Sequence, residues 1–177
     1  MSRMRVLVLN AGSGTLKWTL LQAADRRTLD EGTEDWAATP LAGRAAELRV
    51  VLRRIEGFDA VGHRVVHGGT RFPRATRVDG PARAGLEALA TLDELHMRPA
   101  LAGIDAVSAE YPSLPQVAAF DTSFHATMPA AAAGYALPWE WSERWGLKRF
   151  GFHGLSVQYA VERTRRMLAR TPARLVV

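Results

Sequence analysis

Arg5-Val-Leu-Val-Leu-Asn10-Ala-Gly-Ser13-Gly-Thr15-Leu-Lys17-Trp-Thr-Leu20 reads as an apolar strand, a short turn of small polar residues and a second strand. Leu16, Trp18 and Leu20 alternate with Lys17, Thr19 and Leu21, the period of a strand, so Lys17 points away from Leu16 and Trp18. The turn gathers backbone N–H groups, the Ser13 and Thr15 hydroxyls, the Asn10 amide and Lys17. Such a set suits phosphate and its metal ion, carried on a β-hairpin. A Walker A loop is excluded, because it needs Gly-Lys-Ser/Thr opening a helix and Lys17 stands between Leu16 and Trp18. A dinucleotide fingerprint is excluded too, because a third glycine is needed where Lys17 stands and a helix after it. An ordinary Gly-Ser-Gly hairpin turn with a surface lysine is the other reading of this segment.

Beyond the hairpin, Thr28 to Thr33 reads as a third short strand. Leu41, Ala45, Leu48, Leu52 and Ile55 fall at helical spacing, which predicts an amphipathic helix over Pro40 to Ile55, closed by Gly57. Ala60 to Val66 is a strand ending in His67-Gly-Gly. Leu86, Leu89 and Leu92 mark a helix from about Pro81, and a further helix runs from about Pro99 to Tyr111, where Pro112 stops it. Gln116 to Phe120 is another strand, followed by a loop of small residues to Gly134. Helical turns over Trp139 to Trp145, a glycine-bearing loop and a last helix from about Ser156 to Arg170 complete the pattern. Arg174 to Val177 begins a new apolar strand. Strands first, then strands alternating with helices, predict an α/β fold with a mixed sheet flanked by helices.

The 177 residues suffice for a real core, and a hydrophobic fraction of 47% with 23% charged residues is that of a soluble globular protein. There is no cysteine, which excludes disulfides and thiolate metal sites. No apolar run approaches membrane-spanning length and the N-terminus lacks a signal-peptide core, so a cytoplasmic location without membrane partners is expected. The net charge of +5 and a pI near 10.4 raise a nucleic-acid reading. It is ranked low: Lys17 and Lys148 are the only lysines, and the arginines are scattered, with pairs only at Arg26-Arg27, Arg53-Arg54 and Arg165-Arg166.

Polar clusters recur at strand ends, where sites collect in open α/β sheets. Arg64 sits inside the apolar strand Ala60-Val-Gly-His-Arg-Val-Val66 and needs an anion, either a ligand's carboxylate or phosphate or an internal Asp or Glu. His63 and His67 would lie roughly 13 Å apart on a strand, too far to share one metal. Asp121 ends its strand as a cap, or holds magnesium through water. His153, between Phe152 and Gly154, donates to a phosphoryl oxygen or is a packed core histidine.

Taken together, these segments resemble the acetate kinase (acetokinase) family. The family's Asn-Ala-Gly-Ser-Ser-Ser-Leu-Lys is similar to Asn10 to Lys17. Its Gly-His-Arg-Val-Val-His-Gly-Gly reads unchanged from Gly62 to Gly69. Its Phe-Asp-Thr-Ala-Phe-His-x-Thr-Met-Pro is nearly matched from Phe120 to Pro129, its Tyr-x-Leu-Pro with an aromatic helix at Tyr135 to Trp145, and its Gly-Phe-His-Gly-Thr-Ser-His at Gly151 to Val157.

The resemblance implies a ribonuclease-H-like fold of the actin and sugar-kinase type. It implies ATP-dependent phosphorylation of acetate, or of propionate, to an acyl phosphate, with Mg²⁺. By position, Asn10 helps bind magnesium, and Lys17 with Ser13 and Thr15 contacts the ATP phosphates. Arg64 holds the substrate carboxylate, Asp121 is the catalytic aspartate and His153 the transition-state stabiliser. Val66, Leu95 and Phe152 form the pocket for the acetate methyl. The chemistry agrees: a carboxylate nucleophile, ionised above a pH of ~4, needs no general base at neutrality. Arg64 and His153 would neutralise charge on the transferring phosphoryl group. Asp121 is then better explained as an organiser of magnesium or water than as a proton acceptor.

There are departures. Gly14 and Thr15 replace two motif serines. Leu95-His96-Met97-Arg98-Pro99 replaces Leu-His-Asn-Pro, with Ala100 and Leu101 where a second asparagine is expected. Val157 replaces a histidine, and the stretch between Lys17 and Arg64 is shorter than usual. The family is more than twice as long, its second half carrying the adenosine pocket, a further glycine-rich loop, a second arginine and a glutamate for magnesium. Residues 1–172 are therefore expected to form the N-terminal domain alone, with 173–177 beginning the ATP-binding domain, and the chain by itself to be inactive. Homodimer formation stays open. The alternative is a non-catalytic remnant or binding module of the same fold.

Overall fold

A computed structural model describes residues 4–176. The alternating pattern that opens the chain becomes an antiparallel meander, β1 (Arg5–Ala11), β2 (Thr15–Gln22) and β3 (Arg27–Asp35). β4 (Ala60–Val65) lies parallel to β1, and β6 (Gln116–Phe120) lies parallel to β4. A two-residue edge strand, β5 (Thr76–Arg77), pairs antiparallel with β6. The order is β3-β2-β1-β4-β6-β5, the expected mixed sheet. β5 was not foreseen: two residues are too few to show a period.

Three helices pack in sequence between these strands. α1 (Leu41–Arg54) follows Pro40 as expected, but it ends at Ile55 in an extended conformation, so Gly57 stands two residues beyond the cap and does not form it. α2 (Gly80–Leu89) starts where the Asp79 carboxylate accepts the Ala82 N–H at 2.8 Å. Leu92 is not in this helix; it is 58% exposed in a 3-10 turn after it. α3 (Glu94–Glu110) starts five residues before the predicted Pro99, because Asp93 caps it by accepting the His96 N–H, and Pro99 is carried inside. Arg83 ties α2 to α3 through two 2.7 Å bonds to Asp105.

One face of the sheet is sealed. Leu7, Leu9, Leu16, Leu20 and Val61 meet Leu48, Val51 and Leu52 of α1 and Ala106 and Val107 of α3. A second cluster joins Val65, Ala118 and Phe120 to Phe72, Leu86, Met97 and Ile104. His63 points into the sealed face, where its Nε2 donates to Gln116 Oε1 at 2.8 Å and Gln116 in turn donates to Ser108. Burial pushes its imidazole down to about 4.

After β6 come a 3-10 turn (Ser123–His125), the four-residue α4 (Ala130–Ala133), α5 (Trp139–Trp145) and α6 (Gly154–Leu168). α6 leaves the end of β6 and reaches the β2–β3 turn, where Arg26 pairs with Glu162 at 3.4 Å. The strand expected from Arg174 is not formed over 174–176, and Val177 lies outside the described residues. Among the described residues no helix is long and apolar enough to cross a membrane.

Candidate active site at the strand ends

Register places the predicted residues before any side chain is considered. Asn10 faces Lys17 across β1–β2, and Leu9 faces His63 across β1–β4, so the next residues, Asn10 and Arg64, share one row with Lys17. That row lies on the sheet face opposite His63, away from α1 and α3. Arg64 Nη1 donates to Asn10 Oδ1 at 3.2 Å. Its Nη2 and Nε donate to Asp121 Oδ2 and Oδ1 at 2.5 and 3.4 Å. Of the two partners foreseen for Arg64, the internal carboxylate is therefore present. The Asp121 side chain is 4% exposed and that of Arg64 30%, which leaves part of the guanidinium accessible to a second anion.

Asp121 also fixes the last helix. Its N–H donates to Val65 C=O at 3.1 Å, and its C=O accepts the Gly154 N–H at 2.9 Å. A Cβ on Gly154 would lie 2.1 Å from that carbonyl oxygen, so only glycine lets α6 begin here. His153, the residue before, is exposed and left-handed at φ 57°, which rules out the packed-core reading. Asp121 and Arg64 are in direct contact, and His153 is one residue from the peptide that touches Asp121.

The other predicted residues are less gathered. Ser13, Thr15 and Lys17 are exposed on the hairpin at the far end of the row. Val66 is half-buried just beyond β4, and Phe152 packs edge-on to His67 with centroids 5.6 Å apart. Leu95 is left open on the first turn of α3, 65% exposed.

Four residues outside the predicted site support it, among them His67, which the sequence suggested only as a metal ligand and excluded. His67 takes the Gly69 N–H on Nδ1 at 2.8 Å and touches the Phe150 ring; burial lowers its basicity, so it serves as a neutral acceptor. His125 Nε2 donates to Phe152 C=O at 3.1 Å and so holds the loop before His153. Arg44 and Trp36 grip the carbonyls of the hairpin turn. The signal for Arg44 was its place four residues before Leu48, on the apolar stripe of α1. The signal for His125 was its place inside a matched motif.

Asn10 Oδ1 and the Asp121 carboxylate are hard oxygen donors that suit Mg²⁺ through water. Among the described residues no group of three His, Cys, Asp or Glu accompanies them.

Strand order and a polar row at the strand ends together define an α/β protein with an open mixed sheet, flanked by helices, that carries a candidate site along that row. The acetokinase family pattern matches residues 45–177, and the chain belongs to that family. It is 39% identical to an acetate kinase of Streptomyces griseus, over 95% of this chain and 48% of that protein. The crystal structure of Porphyromonas gingivalis acetate kinase superposes with a TM-score of 0.79 at 29% identity, over 94% of this chain and 49% of that one. A propionate kinase from Francisella tularensis gives 0.78 at 28%, over 96% and 50%. The chain thus spans about half the length of the curated relatives it matches.

Proposed function

We propose that this chain is the carboxylate-binding half of an acyl kinase, which transfers the terminal phosphoryl group of ATP to acetate or propionate. The observation that carries the proposal is the Asn10–Arg64–Asp121 hydrogen-bonded row beside an exposed Ser/Thr/Lys hairpin. Residues 1–172 act as the N-terminal domain, and turnover needs the rest of the family's length.

Arg64 exchanges part of its bond to Asp121 for the substrate carboxylate and brings that anion toward the phosphorus. His153, exposed and next to Asp121, donates to a phosphoryl oxygen as charge spreads over the group. Lys17, Ser13 and Thr15 hold the ATP phosphates. Asn10 and Asp121 would hold Mg²⁺, which when bound neutralises phosphate charge. Val66, Leu95 and Phe152 line the side toward the acyl methyl group.

Hydroxylamine trapping of the acyl phosphate tests this. The 177-residue chain alone yields none. Mixed with the C-terminal half of an acetokinase-family relative it yields product, and Arg64→Ala lowers the mixed rate by about 10²–10³-fold. No product from two folded pieces would favour the non-catalytic remnant instead.

A further inference from the structure

The hairpin turn is gripped from behind by a cation to which the proposed reaction assigns no role. Arg44 on α1 is 9% exposed. Its Nη2 donates to Ser13 C=O at 2.6 Å, Nη1 to Gly12 C=O at 3.3 Å and Nε to Thr39 C=O at 3.1 Å. Trp36 adds its Nε1–H to Gly12 C=O at 3.0 Å and its backbone N–H to Gly14 C=O at 3.1 Å. The guanidinium lies 5.1 Å from the centroid of the Trp36 ring.

Two consequences follow from elementary geometry and charge. A trans peptide directs its N–H opposite to its C=O, and no peptide among the described residues is cis. Tying the Gly12 and Ser13 carbonyls to one guanidinium therefore turns the Ser13 and Gly14 N–H groups away from it. Neither N–H donates a hydrogen bond among the described residues. The charge is equally one-sided: each hydrogen-bond acceptor of Arg44 is a neutral carbonyl, and no carboxylate pairs with it among the described residues. A buried cation without a counter-ion favours an anion close by. Arg44 stands one residue outside the stretch that the family pattern matches.

We propose that Arg44 is the positioning residue of a phosphate-binding turn: it aims the Ser13 and Gly14 N–H groups outward, and the bound phosphate supplies its missing counter-charge. The inference rests on the reading of Asn10 to Lys17 as a phosphate site.

Amide NMR of the 177-residue chain titrated with tripolyphosphate tests both levels. The Ser13 and Gly14 amides shift in the natural chain. In Arg44→Gln the Kd rises about tenfold, the size of one strong polar contact, while circular dichroism keeps the helices. Arg44→Lys, which keeps the charge and loses the fork, falls between. If the Kd in folded Arg44→Gln equals that of the natural chain and only its Tm drops, Arg44 is merely structural and the inference is overturned, while the phosphate site stands. If no amide moves in the natural chain, the phosphate site itself fails. Should Arg44→Gln not fold, Arg44→Lys decides: it removes the fork that holds the Gly12 and Ser13 carbonyls together, and a Kd there equal to that of the natural chain overturns the inference as well.

Discussion

The body up to Thr122 and the segment after it are held together by different means. The first buries two apolar clusters between sheet and helices, whereas after Thr122 only Gly154 is buried among the described residues. The candidate site straddles the two. Asn10, Arg64 and Asp121 are set by strand register on the rigid side. Phe152 and His153 are set by a few backbone links, chiefly Gly154 N–H to Asp121 C=O and His125 to Phe152 C=O. Half of the site is thus preorganised by the core, and half hangs on single contacts that a point change can cut.

The comparison breaks most visibly at Gly154. Gly154→Ala forces a methyl group onto the Asp121 carbonyl and costs about 3 kcal/mol, with α6 released first. Limited proteolysis reads this as cleavage after Thr122 that leaves the body intact; equal protection of both parts would show the linkage to be dispensable. Acid gives an effect of similar size, in the body instead. His63 is held neutral down to about pH 4 when folded but protonates near 6.5 when unfolded, so stability is present above 6.5 and lost as pH falls toward 4. Urea melts at pH 7 and pH 4.5 should differ by about 2.4 kcal/mol, and the difference should shrink in a folded variant lacking the imidazole.

Smaller effects sharpen the contrast. Arg64→Ala leaves the nearly buried Asp121 carboxylate without its cation and costs about 2 kcal/mol by urea melt, less than a fully buried pair because Arg64 is partly solvated. Trp139→Ser, at a side chain 68% exposed on α5, shifts stability by no more than about 0.5 kcal/mol. A large loss there would mean that α5 packs against the body.

Most of the body was legible because burial imprints a period. Leu16-Trp18-Leu20 gave a strand and Leu48-Leu52-Ile55 a helix, each confirmed within a residue or two. The start of α3 was misread because Pro99 looked like a first-turn residue, when Asp93 supplied the cap. For the site, residue order revealed which side chains stand at strand ends. It could not reveal that Arg64 bonds Asp121, a partner 57 positions away. The exposure of His153 was equally hidden, since it depends on a close approach between two backbones.

Five tryptophans divide along the same line. Trp36 is 1% exposed and hydrogen-bonded to the hairpin turn, while Trp139, Trp141 and Trp145 stand open. Trp18 on β2 is the fifth, half-buried against the first cluster. In a Trp18→Phe background, iodide should quench the outer three and spare Trp36. The residual emission would then serve as a built-in optical gauge, from an indole touching Gly12, of any movement in that turn.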